Sequence, residues 1–280
     1  MTLKLGLLGA NIARSRMPRL QQYLANLADV AMDYVLLDTH ELPPLSPREH
    51  IRLARDKGFV GLNITHPFKQ DIYPLVKSPC IQGHEQIGSY NTLLLDKEDI
   101  RGANTDYSGF KKAYEKIMGR EEPGRVLLCG AGGVGRAVAS GLGDKGCREL
   151  LVHDTSRAQA QSLVTLLESR QVSARIVEHD ELPDAIKSAD GLVNCTAVGM
   201  NNSTESVIDP GYINTQRWAF DAVYTPLNTA FLGNCRNAGL ECISGFDLWI
   251  FQGLDAFRLF TEVEIEASDA LLKETSSWLN

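Results

Sequence analysis

The stretch Val126-Leu127-Leu128-Cys129-Gly130-Ala131-Gly132-Gly133-Val134-Gly135-Arg136-Ala137 decides how this chain is read. An apolar run ends in Gly130-x-Gly132-x-x-Gly135, and small and aliphatic residues follow at Ala137, Val138, Ala139 and Leu142. That order predicts a strand, a tight turn and a helix. Gly130 would let the chain turn, Gly132 would let the backbone approach a pyrophosphate, and Gly135 would let helix and strand pack closely. The N–H groups exposed at such a helix start favour an anion. A plain strand-to-helix connection can also use glycines this way. The setting favours a dinucleotide, because an acid, Asp154, stands about 20 residues further on.

Downstream of the turn, strands are expected near 149–153, 173–177, 191–195 and 218–223. Helices near 156–169 and 183–188 alternate with them, the rhythm of a doubly wound sheet. After Glu241-Cys242-Ile243 a long helix is expected over 246–260, then an amphipathic one over about 267–279. These last helices have no strand partners and are assigned to the first domain. Upstream, strands are expected at 3–8, 34–37 and 60–65, with a hairpin around 96–99. Pro18 and Pro67 are expected to open helices, where a missing N–H costs nothing. The fold class is therefore α/β with two domains: residues 1–106 plus 246–280, and a Rossmann domain over 107–245.

Composition narrows the partners. The 280 residues are 44% hydrophobic and 22% charged, ordinary for a globular chain. A net charge of −7 argues against nucleic acid and anionic membranes, which need clustered Lys and Arg. Six scattered cysteines without a C-x-x-C pair fit a reduced, cytoplasmic chain. No secretory segment and no apolar run of 18 residues is present. The six histidines lack metal-ligand spacing, so no metal site is expected.

Two further segments carry chemistry. Asn63-Ile64-Thr65-His66-Pro67-Phe68-Lys69 puts a lysine just beyond the carboxyl end of a strand, and Asn104-Thr105-Asp106 puts a carboxylate at another strand-to-helix turn. Ligands in open α/β sheets collect at that end. Taken singly, Asp106 reads as a helix N-cap and Lys69 as a solvated cation. With Asn91 and Thr105 they form a constellation of short donors and acceptors suited to a polyol.

Over nearly its whole length the chain resembles the shikimate dehydrogenase family. The segments that carry the resemblance are 61–69, Ser89-Tyr90-Asn91-Thr92, 102–106, the glycine turn, Asn194-Cys195-Thr196-Ala197-Val198-Gly199-Met200 and Asp221-Ala222-Val223-Tyr224-Thr225-Pro226. It looks most similar to the NAD-using quinate/shikimate dehydrogenases of the shikimate pathway, through 154–158 and 255–261. The resemblance implies Lys69 and Asp106 as the catalytic pair, with Ser15, Met17, Asn63, Thr65, Asn91, Tyr224 and Gln252 around a cyclic polyol carboxylate. It also implies that Gly130, Ala131, Gly132, Gly133, Val134, Gly135, Asp154, Arg157, Cys195, Thr196, Val198, Val223 and Gly245 bind the dinucleotide. Family members that use NADP carry an arginine for the 2′-phosphate where this chain has His153-Asp154-Thr155. NAD is expected, with NADP disfavoured but for Arg157.

One departure bears on substrate. The family places two hydroxyl residues on the substrate carboxylate; Ser15 keeps the first, and Met17 replaces the second with a thioether that cannot donate. Gln21 also stands where the family commonly has histidine. Either Arg14, Arg16 or a water compensates, or the ring acid differs from shikimate. A sensor that binds NAD without turnover is the reading from another class, opposed by the Lys69/Asp106 pair. Monomer and homodimer stay open.

Overall fold

The computed structural model describes residues 2–96 and 99–279. They form two compact units, 2–105 with 252–268, and 106–251 with 269–279. This partition differs from the one expected, in which all of 246–280 joined the first unit: the last helix groups with the second.

The first unit runs β1 (Leu3–Gly9), α1 (Met17–Leu27), β2 (Met32–Asp38), α2 (Pro47–Asp56), β3 (Gly61–Ile64), β4 (Ser78–Pro79), β5 (Thr92–Leu95) and β6 (Ile100–Ala103). Its sheet has the order β2-β1-β3-β5-β6-β4. Apolar periodicity explains the helices: α1 buries Leu20, Leu24 and Ala25 along one face. Ser46 and Glu49 form a capping box that starts α2. Strand β1 lies parallel to β2 and β3, whereas β5 runs antiparallel to both β3 and β6. The reversed β5 has a consequence for position. The carboxyl ends of β1, β3 and β6 and the beginning of β5 all fall on one edge of the sheet. The β5–β6 connection is a hairpin, as expected, with Lys97 and Glu98 outside the described residues.

The second unit continues through α3 (Thr105–Met118), β7 (Arg125–Cys129), α4 (Gly133–Asp144), β8 (Glu149–His153), α5 (Arg157–Ser169), β9 (Ala174–Ile176), α6 (Leu182–Ser188), β10 (Gly191–Asn194), β11 (Trp218–Asp221), α7 (Ala230–Asn237), β12 (Glu241–Ile243), α8 (Gly245–Thr261) and α9 (Asp269–Ser276). Helices α3 and α8 each begin in one unit and end in the other. The sheet order is β12-β11-β10-β7-β8-β9, with every pairing parallel. This is the doubly wound order, whose direction reverses between β7 and β10. Its inner strands β7, β10 and β11 are buried on both faces, which is why they read as largely apolar runs. Helix α7 was not anticipated.

The helix expected from Pro67 does not form. Residues 66–72 make successive turns, beginning with the Phe68 N–H bonded to the Thr65 carbonyl at 3.0 Å. The Lys69 carbonyl is taken by the N–H of Tyr90, so tertiary pairing replaces the helical ladder. Among the described residues no helix is long and apolar enough to cross a membrane.

Candidate active site

In the first unit, the shared sheet edge gathers most of the predicted substrate residues. Asp38, at the end of β2, fixes the loop after β1. Its carboxylate accepts the N–H groups of Asn11 (3.0 Å), Ile12 (2.7 Å) and His40 (3.1 Å). Burial works to raise its pKa, but those donors outweigh it and hold the carboxyl below its usual range. That loop presents Ser15, whose Oγ accepts the Met17 N–H at 3.3 Å and keeps its own proton for a partner. Met17 is buried, with Sδ 3.6 Å from Nε2 of Gln21. Gln21 Nε2 also donates to the Gly253 carbonyl at 2.9 Å, which fixes the amide orientation and leaves its buried Oε1 unmatched.

The ends of β3, β5 and β6 are tied by side-chain amides. Asn91 Oδ1 accepts the Thr105 N–H at 2.7 Å, and its Nδ2 donates to Thr105 Oγ1 at 3.0 Å. Gln252 Oε1 accepts from Thr105 Oγ1 at 3.4 Å. Asn63 is spent internally: Oδ1 accepts the Tyr34 hydroxyl at 2.8 Å, and Nδ2 donates to the Asn91 carbonyl and Thr92 Oγ1. Its position therefore suits bracing more than ligand contact. Burial raises the Tyr34 phenol well above its ordinary pKa, so it stays a donor. Thr65 and Lys69 follow β3 on the same edge, both half-buried. Tyr34 and His84 escaped the sequence reading, since a lone Tyr or His in a strand or loop carries no spacing signal.

The second unit carries the glycine turn and Asp106, which occupies the first turn of α3. A bound dinucleotide is tested by what a side chain would meet at each glycine. A Cβ on Gly135 would come within 1.9 Å of the Gly130 carbonyl oxygen. Gly130 has φ +99°, and a Cβ there would sit 2.7 Å from the Cys195 backbone. Gly132 differs, because nothing lies within 4 Å of its Cβ position. The protein demands glycine at 130 and 135 for its own packing. At 132 it leaves open the space a pyrophosphate would use, at the start of α4. The residues present fit the group.

Asp154 sits beside this turn. Its Oδ2 accepts the Ala131 N–H and its Oδ1 the Ser156 N–H, each at 2.7 Å. A carboxylate has lone pairs to spare beyond these two bonds, enough for ribose hydroxyls. Arg157 is ion-paired with Glu178. Thr196 and Val198 follow β10, and Val223 follows β11, the strand beside it. Gly245 packs against Val223 so closely that a Cβ would fall 2.3 Å from the Val223 carbonyl oxygen. Tyr224 stacks on Trp249 at 5.9 Å. No group of His, Cys, Asp and Glu able to hold a metal exists among the described residues.

A doubly wound parallel sheet with a glycine turn at its switch point, joined to a second α/β unit whose strand ends carry hydroxyl and amide groups, defines a dinucleotide-linked oxidoreductase. The pattern described as "Shikimate dehydrogenase substrate binding domain" matches residues 7–93, and "Shikimate / quinate 5-dehydrogenase" matches 112–216. The quinate/shikimate dehydrogenase (NAD(+)) of Corynebacterium efficiens is 36% identical, covering 93% of each chain. A shikimate dehydrogenase (NADP(+)) of an Arthrobacter species is 34% identical over 94% of this chain and 90% of that one. Quinate dehydrogenase from Corynebacterium glutamicum, solved in complex with NAD, superposes with a TM-score of 0.90 at 32% identity, covering 99% of both chains. The chain belongs to the shikimate dehydrogenase family, and it is an NAD(P)-dependent dehydrogenase acting on a CH–OH group.

Proposed function

We propose that this chain interconverts quinate or shikimate with the corresponding 3-dehydro ketone, using NAD, with Lys69 and Asp106 as its acid/base pair. The observation that carries the reading is the edge lattice of Asn91, Thr105 and Gln252. It lies at the strand ends from which Lys69 and Asp106 follow. Fixed hydroxyls and amides of this kind bind ring hydroxyls in one orientation, which is most of what hydride transfer needs. NAD supplies the hydride acceptor when bound. Lys69 accepts the hydroxyl proton in oxidation and returns it in reduction, and Asp106 orients the same oxygen. NAD over NADP is supported by the names of the relatives in Corynebacterium, by Asp154 at the ribose position, and by the engagement of Arg157 with Glu178.

A second reading has one observation in its favour. Met17 offers sulfur where a hydroxyl would meet the substrate carboxylate, and that sulfur faces Gln21. Losing one charged hydrogen bond costs about 1.5–3 kcal/mol. A related ring acid, with different substitution near that group, would bind without the penalty. NADH formation with quinate, shikimate and amino- or deoxy-substituted ring acids tests both. Turnover of quinate or shikimate at the highest kcat/KM supports the first reading. Preference for a substituted acid replaces it with the second. NAD binding without turnover of any acid would make the chain a sensor.

A further inference from the structure

We propose that Asp221 is the positioning residue of the dinucleotide half, setting the two loops that carry Thr196, Val198 and Val223; this rests on the NAD-binding role assigned to those loops above. Asn194 and Asp221 are register partners on adjacent parallel strands, each the last residue of its strand. Both are fully buried. Three donors converge on the Asp221 carboxylate: Asn194 Nδ2 at 2.9 Å and the Val223 N–H at 3.0 Å on Oδ1, and Thr229 Oγ1 at 2.6 Å on Oδ2. The bonds then fan into both loops. Asn194 Oδ1 accepts from the Thr196 N–H (3.0 Å) and Thr196 Oγ1 (2.7 Å), and its Nδ2 also reaches the Val198 carbonyl at 3.1 Å. Thr196 Oγ1 accepts the Val198 N–H at 3.1 Å. On the other side Thr229 Oγ1 caps α7 through the Leu232 N–H at 3.2 Å, closing the loop that starts at Val223.

A carboxylate suits this junction. It offers two oxygens and no donor, while an amide would turn an N–H toward the Thr229 hydroxyl, which would then have to accept where it now donates. No charge–charge interaction with a cation is among the causes that shift Asp221, and the Cys235 thiol, whose pKa the Asp221 charge helps to raise, is held protonated chiefly by burial. Burial pushes the Asp221 pKa up to about 6, so an ionised group stands where a neutral one would cost less. What the charge achieves is a fixed geometry for both loops.

The test compares NADH affinity, by cofactor fluorescence, and separate KM values for NAD and the ring acid in wild type, D221N, T229V and T229S. D221N and T229V should weaken NADH binding and raise the NAD KM by about tenfold, the scale for losing a charged hydrogen bond, with a smaller rise in the ring-acid KM through Tyr224 on the Val223 loop. T229S, which keeps the hydroxyl, should restore wild-type affinity. Unchanged NADH affinity in T229V and D221N, or an equal rise in both KM values, overturns the positioning role. T229V carries the test alone if D221N does not fold. Wild type that fails to bind NADH would overturn the cofactor reading beneath it instead.

Discussion

The backbone N–H of Asn104 donates to Nδ1 of His84 at 3.0 Å, in a position where both residues are buried. An imidazole nitrogen that accepts is unprotonated, so His84 is neutral at Nδ1. Asn104 is also held by its Nδ2, which donates to the carbonyl and hydroxyl of Ser89. The turn that delivers Asp106 is thus pinned two residues before it. Asparagine can place Oδ1 where Nδ1 stands, and glutamine cannot. H84N should keep kcat within a few-fold of wild type, and H84A and H84Q should lose about tenfold by leaving a buried N–H unmet. Equal kcat in H84A and H84N would remove His84 from this role.

Lys69→Ala should lower kcat by about 10²–10⁴-fold, the usual scale for a positioned acid/base, with little change in NADH affinity. Steady-state rates beside cofactor titrations check this. Retained turnover would rule Lys69 out as the proton carrier.

Glu178→Gln should release Arg157 and raise kcat/KM for NADP a few-fold without improving NAD. The pair is exposed, and exposed pairs are worth about 0.2–1 kcal/mol, so a larger gain is not expected from this change alone. Adding Asp154→Ser, which removes the carboxylate that would repel a 2′-phosphate, should produce the larger shift. An unchanged coenzyme ratio in the double variant would show that neither residue reads the ribose.

Met17→Thr should lower the KM for shikimate by about tenfold if its carboxylate lies beside Ser15, since a second donor becomes available. The thioether is buried, so the same change should cost roughly 2 kcal/mol of stability. Both effects are read on one preparation, by kinetics and thermal melting. Loss of stability with no gain in shikimate affinity would favour another ring acid.

Asp221 also makes a signed pH prediction. Its folded pKa of about 6 lies above the ordinary 3.8, because burial disfavours the charge more than three hydrogen bonds favour it. The folded protein therefore binds this proton more tightly than the unfolded chain. The resulting stability is complete below about pH 3.8 and is lost as pH rises through about 6, by roughly 3 kcal/mol at most. D221N has no such group, so its melting temperature should gain on that of wild type between pH 4 and pH 7. A constant difference across that range would mean that Asp221 titrates normally.

The glycine turn was legible because each glycine there answers to a local requirement: backbone conformation at Gly130, close packing at Gly135 and open space at Gly132. The strands were legible through their apolar runs. The turns at 66–72 were not, since they depend on Tyr90 reaching back to Lys69 from the loop before β5. His84 and Asp221 stayed hidden for a related reason. Their significance is burial plus the donors aimed at them; Asp221 stands in a segment that carries the resemblance, but its role, like that of His84, does not show in the order of residues. The partner of α9 was not legible, because amphipathicity tells that a helix packs, never against what.

Strand β5 runs against both of its neighbours, and its first residue follows Asn91 directly. A two-residue slip of that strand would return each side chain to the same face, so the apolar contacts could largely re-form. It would also carry Asn91 about 7 Å away from Thr105, at a rise near 3.4 Å per residue. Such a molecule would keep its fold, melting below the native protein for want of the Asn91–Thr105 and Asn63–Thr92 bonds, and turn over nothing. Assays that count folded material would miss this species, and only a titration of competent sites against total chain would reveal it.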